Sequence, residues 1–219
     1  MLGLMQNQQL LISSILSHAA REHSEQEIVS NTIEGGMHRY TYADAEKRTM
    51  RLANTLRQLG VKARDRIGTL AWNGYRHFEI YYATSGIGLV CHTINPRLPP
   101  EQISYIINHA KDQYLFVDLN LFEIVEKLGG QLKTLKGIVV MTNHDHMPDV
   151  TELDKIVPVH CYETLIAKQS DKIEWPEFDE NTASSLCYTS GTTDSPKGVL
   201  YSHRSTLLHA YAAQMKDSI

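Results

Sequence analysis

Apolar residues recur at Leu10, Leu11, Ile15, Leu16 and Ala19, the spacing of an amphipathic helix near the start of the chain. A strand is expected over Glu27–Ile33, with Gly35-Gly36 as the turn that follows. Thr41 and Asp44 then stand at capping-box spacing, ahead of a helix that runs through Ala45, Leu52, Ala53, Leu56 and Leu59 and stops at Gly60. Beyond Gly60 the pattern alternates. Arg66–Ala71 reads as a strand, Tyr75–Thr84 as a helix and Leu89–Ile94 as a strand. Pro99-Pro100 opens a helix through Ile103, Ile106 and Ile107, and buried strands at Tyr114–Val117 and Ile138–Met141 flank a helix near Leu121–Leu128. Repeated β-α units of this kind specify an α/β fold, layered, with a largely parallel sheet flanked by helices on both faces.

Two polar breaks interrupt the alternation. Thr142–Asp149 carries His144, Asp145, His146 and Pro148; two histidines at i, i+2 have no defined partners for a metal, so the stretch reads as an exposed connection. Ser170–Thr182 is rich in charge and holds Trp175-Pro176. The expected organisation is an N-terminal α/β subdomain over 1–169, a linker over 170–183, and a further strand, Ser184–Tyr188, opening the segment 184–219. Neither internal repeats nor low-complexity stretches are evident.

Composition narrows the classes. With 42% hydrophobic and 21% charged residues and a net charge of −4, the 219-residue chain has room for a sizeable core. It lacks a Lys/Arg cluster, which argues against nucleic acid as a partner. Cys91, Cys161 and Cys187 are widely spaced and read as small buried hydrophobes. Ser13 and Ser14 interrupt the early apolar run, against a secretory signal, and the most apolar region, Ile80–Ile94, is too short to span a bilayer. A cytoplasmic location without a transmembrane segment is expected.

The chemistry concentrates in YTSGTTDSPKG, Tyr188–Gly198, directly after an apolar run. Gly191 lets the backbone approach an anion, the hydroxyls of Thr189, Ser190, Thr192 and Thr193 can donate to phosphate oxygens or ligate Mg²⁺, and Lys197 brings a compact positive charge. The P-loop of GTPases does not fit: where it needs Gly-Lys-Ser/Thr, this chain has Pro196, Lys197 and Gly198, losing an N–H and the Mg²⁺-binding hydroxyl.

The loop resembles instead the signature Tyr-Thr-Ser-Gly-Thr-Thr-Gly-x-Pro-Lys-Gly-Val of the AMP-forming acyl-CoA synthetases, the adenylate-forming superfamily. Eleven of its twelve positions match through Val199, and the departure is Asp194 in place of glycine. Thr69–Ala110 and the YSHRS of Tyr201–Ser205 are similar to bacterial medium- and long-chain fatty-acid CoA ligases. Because members of that family are more than twice as long, the resemblance implies an incomplete N-terminal domain of the adenylate-forming fold, with no complete catalytic set in these residues.

That resemblance further implies fatty acid, ATP and coenzyme A as substrates and Mg²⁺ as the metal. Thr189, Ser190, Gly191, Thr192, Thr193 and Lys197 would contact the triphosphate, and Thr192 would ligate Mg²⁺. Pro196 is expected to stiffen the turn, His203 and Arg204 to lie behind the loop, and Trp72, Tyr75 and His77 to face core or subunit neighbours. Asp194 is expected to weaken ATP binding: a unit charge pair at about 6 Å is worth roughly 3 kcal/mol at an effective dielectric of about 20. A fatty-acid substrate brings peripheral membrane contact, and an exposed sheet edge brings self-association as a homodimer. The alternative is a non-catalytic remnant, a weak nucleotide-binding or dimerisation module.

Overall fold

Parallel strands buried on both faces need helices above and below, and the chain supplies them in alternation. The computed structural model describes residues 1, 3–5, 7–189 and 196–215. Helix α1 (Ser13–Glu22) leads into a two-stranded antiparallel ribbon of β1 (Glu27–Asn31) and β2 (Met37–Thr41), then α2 (Tyr42–Gln58). The ribbon turns at Gly35 and Gly36, both at positive φ. Thr41 and Asp44 form the expected reciprocal capping box at the start of α2, and Gly60, at φ +76°, follows its last turn.

The main sheet is built from β3 (Arg66–Leu70), β4 (Val90–Ile94), β5 (Asp112–Asp118), β6 (Gly137–Met141), β7 (Val159–Cys161), β8 (Ala183–Thr189) and β9 (Lys197–Ser202). Its spatial order is β7-β6-β5-β3-β4-β8-β9, parallel throughout except for the antiparallel β8–β9 pair. Helices α3 (Tyr75–Gly86), α4 (Pro100–Ala110), α5 (Phe122–Leu128), α6 (Thr151–Asp154), α7 (Tyr162–Ala167) and α8 (His203–Ala213) complete the described α-helices.

Period-two alternation divides the strands between two cores. Leu115, Val117, Ile138 and Val140 join Ile103, Ile106 and Val125 of α4 and α5 on one face. Ile67, Cys91, Phe116 and Val139 join Leu52, Leu56, Ile80 and Tyr162 of α2, α3 and α7 on the other. The α/β class and the largely parallel sheet are as the alternation specified.

The stretch 170–182 contains no helix or strand, yet it is packed, and Ala183, expected as the last linker residue, opens β8. The Trp175 ring lies against Gly86, where an added Cβ would sit 2.5 Å from the indole, and the Phe178 ring packs edge-on against His203 at 5.0 Å. Beyond it, β8 pairs with β4, so the strand following this connection enters the same sheet as the strands before it.

Lys197 and Gly198, expected within the loop, open strand β9 instead, paired with Thr189 and Tyr188. The cysteines also differ from expectation. Cys91 is buried, whereas Cys161 and Cys187 are half-buried, the first donating to the Thr142 carbonyl at 3.2 Å and the second sharing a 3.1 Å hydrogen bond with Thr93 Oγ1.

Candidate phosphate-binding site

Strand β8 runs parallel to β4, so it ends where the parallel strands have their carboxyl ends, the side on which open α/β sheets bind ligands. At that end β8 pairs with β9, with Thr189 opposite Lys197 and Tyr188 opposite Gly198. Directly opposed residues of an antiparallel pair project from the same face, so the Thr189 hydroxyl and the Lys197 ammonium flank the mouth of the connection together. Both are exposed. Ser190, Gly191, Thr192 and Thr193, with Asp194, lie outside the described residues.

The donor set suits a polyphosphate. A hydroxyl and a primary ammonium at the two ends of a segment with four further hydroxyls provide hydrogen-bond donors and a cation, and Thr192 is a hard oxygen ligand of the type Mg²⁺ takes.

On the opposite face the hairpin is clamped. The Tyr188 ring lies over Gly198, where a Cβ would meet the ring at 3.2 Å and Leu186 at 3.1 Å. Its hydroxyl shares a 2.6 Å hydrogen bond with His109 Nδ1 on α4. Glycine in this strand therefore reflects close approach rather than turn geometry. Gly198→Ala is expected to displace the ring and cost about 1–3 kcal/mol, read from urea unfolding; unaltered stability would place the ring elsewhere.

After β9 the chain enters α8, whose first turn is capped by Ser202 Oγ accepting from Ser205 N–H at 3.0 Å. His203 is fully buried, and its Nδ1 accepts from the Ile12 N–H at 3.1 Å. Arg204 pairs with Glu180, whose Oε2 accepts from the Leu10 N–H at 2.8 Å. These two residues thus fasten the N-terminal segment to the elements behind the hairpin. Burial lowers the His203 pKa to about 4.

Trp72, Tyr75 and His77 stand apart from the hairpin. Tyr75 and His77 are buried, with Tyr75 donating to Glu163 at 3.1 Å and His77 bridging Thr69 and the Trp72 carbonyl. Trp72 is half-exposed under the Arg97 guanidinium, and its backbone N–H donates to Asp118 Oδ2 at 2.7 Å. Burial raises the Asp118 pKa to about 6. His144, Asp145 and His146 form an exposed turn.

The chain is 51% identical over its whole length to a 3-methylmercaptopropionyl-CoA ligase of Ruegeria lacuscaerulensis. It is 46% identical to a medium-chain-fatty-acid–CoA ligase of Ectopseudomonas oleovorans, and 41% identical over 97% of its length to a long-chain-fatty-acid–CoA ligase of Thermus thermophilus. It spans 40%, 39% and 37% of those relatives respectively.

Solved structures share the fold. An anthranilate CoA ligase in complex with anthranoyl-AMP superposes with a TM-score of 0.79 at 21% identity, covering 95% of this chain and 37% of that one. The N-terminal domain of a Mycobacterium tuberculosis FACL13 gives 0.78 at 19% identity, covering 95% of this chain and 48% of that one. No helix among the described residues is long and apolar enough to cross a membrane. With the AMP-binding enzyme profile matching residues 16–219, through the β8–β9 hairpin and α8, the chain belongs to the AMP-binding enzyme family.

Proposed function

We propose that this chain is the N-terminal, phosphate-holding part of an AMP-forming acyl-CoA ligase acting on a fatty acid, with Thr189, Ser190, Gly191, Thr192, Thr193 and Lys197 contacting the triphosphate of ATP. The observation that carries this reading is the hairpin that sets Thr189 and Lys197 side by side at the carboxyl end of the sheet, at the two ends of the signature loop. Identities of 46% and 41% to a medium-chain- and a long-chain-fatty-acid–CoA ligase support the substrate class.

In the proposed reaction a carboxylate oxygen attacks the α-phosphorus of ATP, pyrophosphate leaves, and the thiolate of coenzyme A then displaces AMP from the acyl-adenylate. Negative charge gathers on the phosphoryl oxygens, which calls for fixed donors and a cation rather than covalent chemistry. Lys197 supplies the charge and the loop hydroxyls the donors. Mg²⁺, for which Thr192 offers a ligand, would neutralise part of the triphosphate charge.

Titration of the 219-residue chain with Mg·ATP, beside a thioester assay with octanoate, palmitate and coenzyme A, tests the reading. Saturable binding that weakens about tenfold in Lys197→Ala, roughly 1.4 kcal/mol, is expected. Binding without thioester formation identifies a phosphate-holding part that needs further sequence for turnover. A second reading, a dimerisation module, is favoured by apolar exposure along the outer strand and last helix: Val199, Leu200, Tyr201, Leu208 and Tyr211 all face solvent. Absence of Mg·ATP binding together with a dimer in sedimentation would select it.

A further inference from the structure

We propose that Tyr188 and His92 are positioning residues for the nucleotide, acting through a belt that crosses five strands of the sheet and fixes the phosphate hairpin against the parallel core; the link to the nucleotide rests on the function proposed above.

Each of five neighbouring strands contributes one residue. The carboxylate of Asp112 on β5 reaches across β3 at Gly68, where a Cβ would lie 2.7 Å from Oδ2, and meets His92 Nδ1 on β4 at 2.7 Å. The His92 ring packs against the Tyr188 ring on β8, centroids 5.2 Å apart, and the Tyr188 ring covers Gly198 on β9. Register puts these side chains on one face: Gly68 is opposite His92, His92 is opposite Leu186 two residues before Tyr188, and Tyr188 is opposite Gly198. The two glycines lie where the belt needs clearance, and both approaches leave no room for a Cβ without displacement.

His92 and Asp112 are both fully buried. A buried polar pair contributes little net stability compared with packed apolar residues, and its best-attested use is to specify register. Here the register that matters is that of β8. Tyr188 immediately precedes Thr189, and Gly198 immediately follows Lys197. Whatever holds the Tyr188–Gly198 pair in place therefore sets the separation and direction of the hydroxyl and ammonium at the loop mouth. His109, stacked at 5.4 Å on Tyr105, secures the outer end of the Tyr188 ring from α4. A site held ready before its ligand arrives loses less on binding.

The test compares Tyr188→Ala, Tyr188→Phe and, as a control, Val125→Ala, which truncates a fully buried side chain of α5 in the core that Tyr188 packs against but is not itself a member of the belt. Mg·ATP affinity and backbone hydrogen exchange over 197–202 are measured on the 219-residue chain. Tyr188→Ala is expected to weaken Mg·ATP tenfold or more and to accelerate exchange in β9. Tyr188→Phe, which keeps the ring, is expected to stay within about twofold of the wild type, and Val125→Ala to leave affinity unchanged. Wild-type affinity in Tyr188→Ala, or an equal loss in Val125→Ala, overturns the inference. If the wild type binds no Mg·ATP, the proposed function fails, and exchange alone decides the belt: faster exchange of β9 in Tyr188→Ala than in Val125→Ala supports it, and equal exchange overturns it.

Discussion

Arg48→Met is expected to destabilise the chain by about 3–5 kcal/mol, enough to unfold much of a domain of ordinary stability. Glu79 on α3 is completely buried, and its carboxylate accepts from Arg48 Nε at 2.7 Å and from the Tyr162 hydroxyl at 2.6 Å. Burial pushes the Glu79 pKa above the usual carboxylate range while Arg48 pulls against it. The same guanidinium donates to both oxygens of Glu163 at 3.0 Å, and Glu163 also receives Arg76. Removing Arg48 leaves two carboxylates facing each other in a poorly solvated space. Arg48→Met combined with Glu79→Gln should recover a large part of the loss, since the uncompensated charge disappears with its partner. Urea unfolding of the two variants reads both numbers; equal stability of Arg48→Met and wild type would show that α2, α3 and α7 are held by apolar packing alone.

Acid should act on His203. Its folded pKa, lowered to about 4 by burial, lies below the ordinary histidine value of about 6.5, so the native state binds fewer protons than the unfolded chain between those values. Stability from this group is full above about pH 6.5, falls as pH drops, and is gone near pH 4, a loss on the order of 2–3 kcal/mol. Asp118 runs the other way. Its raised folded pKa of about 6 makes the native state the better proton binder, so falling pH stabilises through it. Comparing wild type with His203→Asn separates the two, because the Asn side-chain oxygen can still accept from the Ile12 N–H while the titration is removed. A smaller drop between pH 7 and pH 4.5 is expected in the variant; an identical drop would assign the acid sensitivity to other groups.

Local signals carried most of the architecture. The Thr41/Asp44 box, the stop at Gly60 and the Pro99-Pro100 helix start depend on neighbours in sequence, and the structure realises each one. Strand β9 was not legible, because Val199, Leu200 and Tyr201 are consecutive and exposed on both faces, leaving no alternation to read. The three-residue β7 is too short to show a period. At the candidate site the residue types were visible but their pairing was not. That Lys197 stands opposite Thr189 follows from sheet register, and that Asp112 serves His92 requires β5 to lie beyond β3, on the far side from β4. The Arg48 network joins residues 31 and 115 positions away, which periodicity cannot reach.

The fastening of the N-terminal segment bears on the order in which the molecule assembles. Leu10 and Ile12 find their partners at Glu180 and His203, 170 and 191 residues later. During synthesis at about 5–20 residues per second, the first residues wait many seconds before those anchors exist. Helices α1 and α2 can pair early, since they touch directly and are separated only by the β1–β2 ribbon. A nascent chain held at the ribosome before residue 180 would thus carry a formed α1 with an unlatched leading end, and closing that latch becomes a late step that reports arrival of the phosphate hairpin.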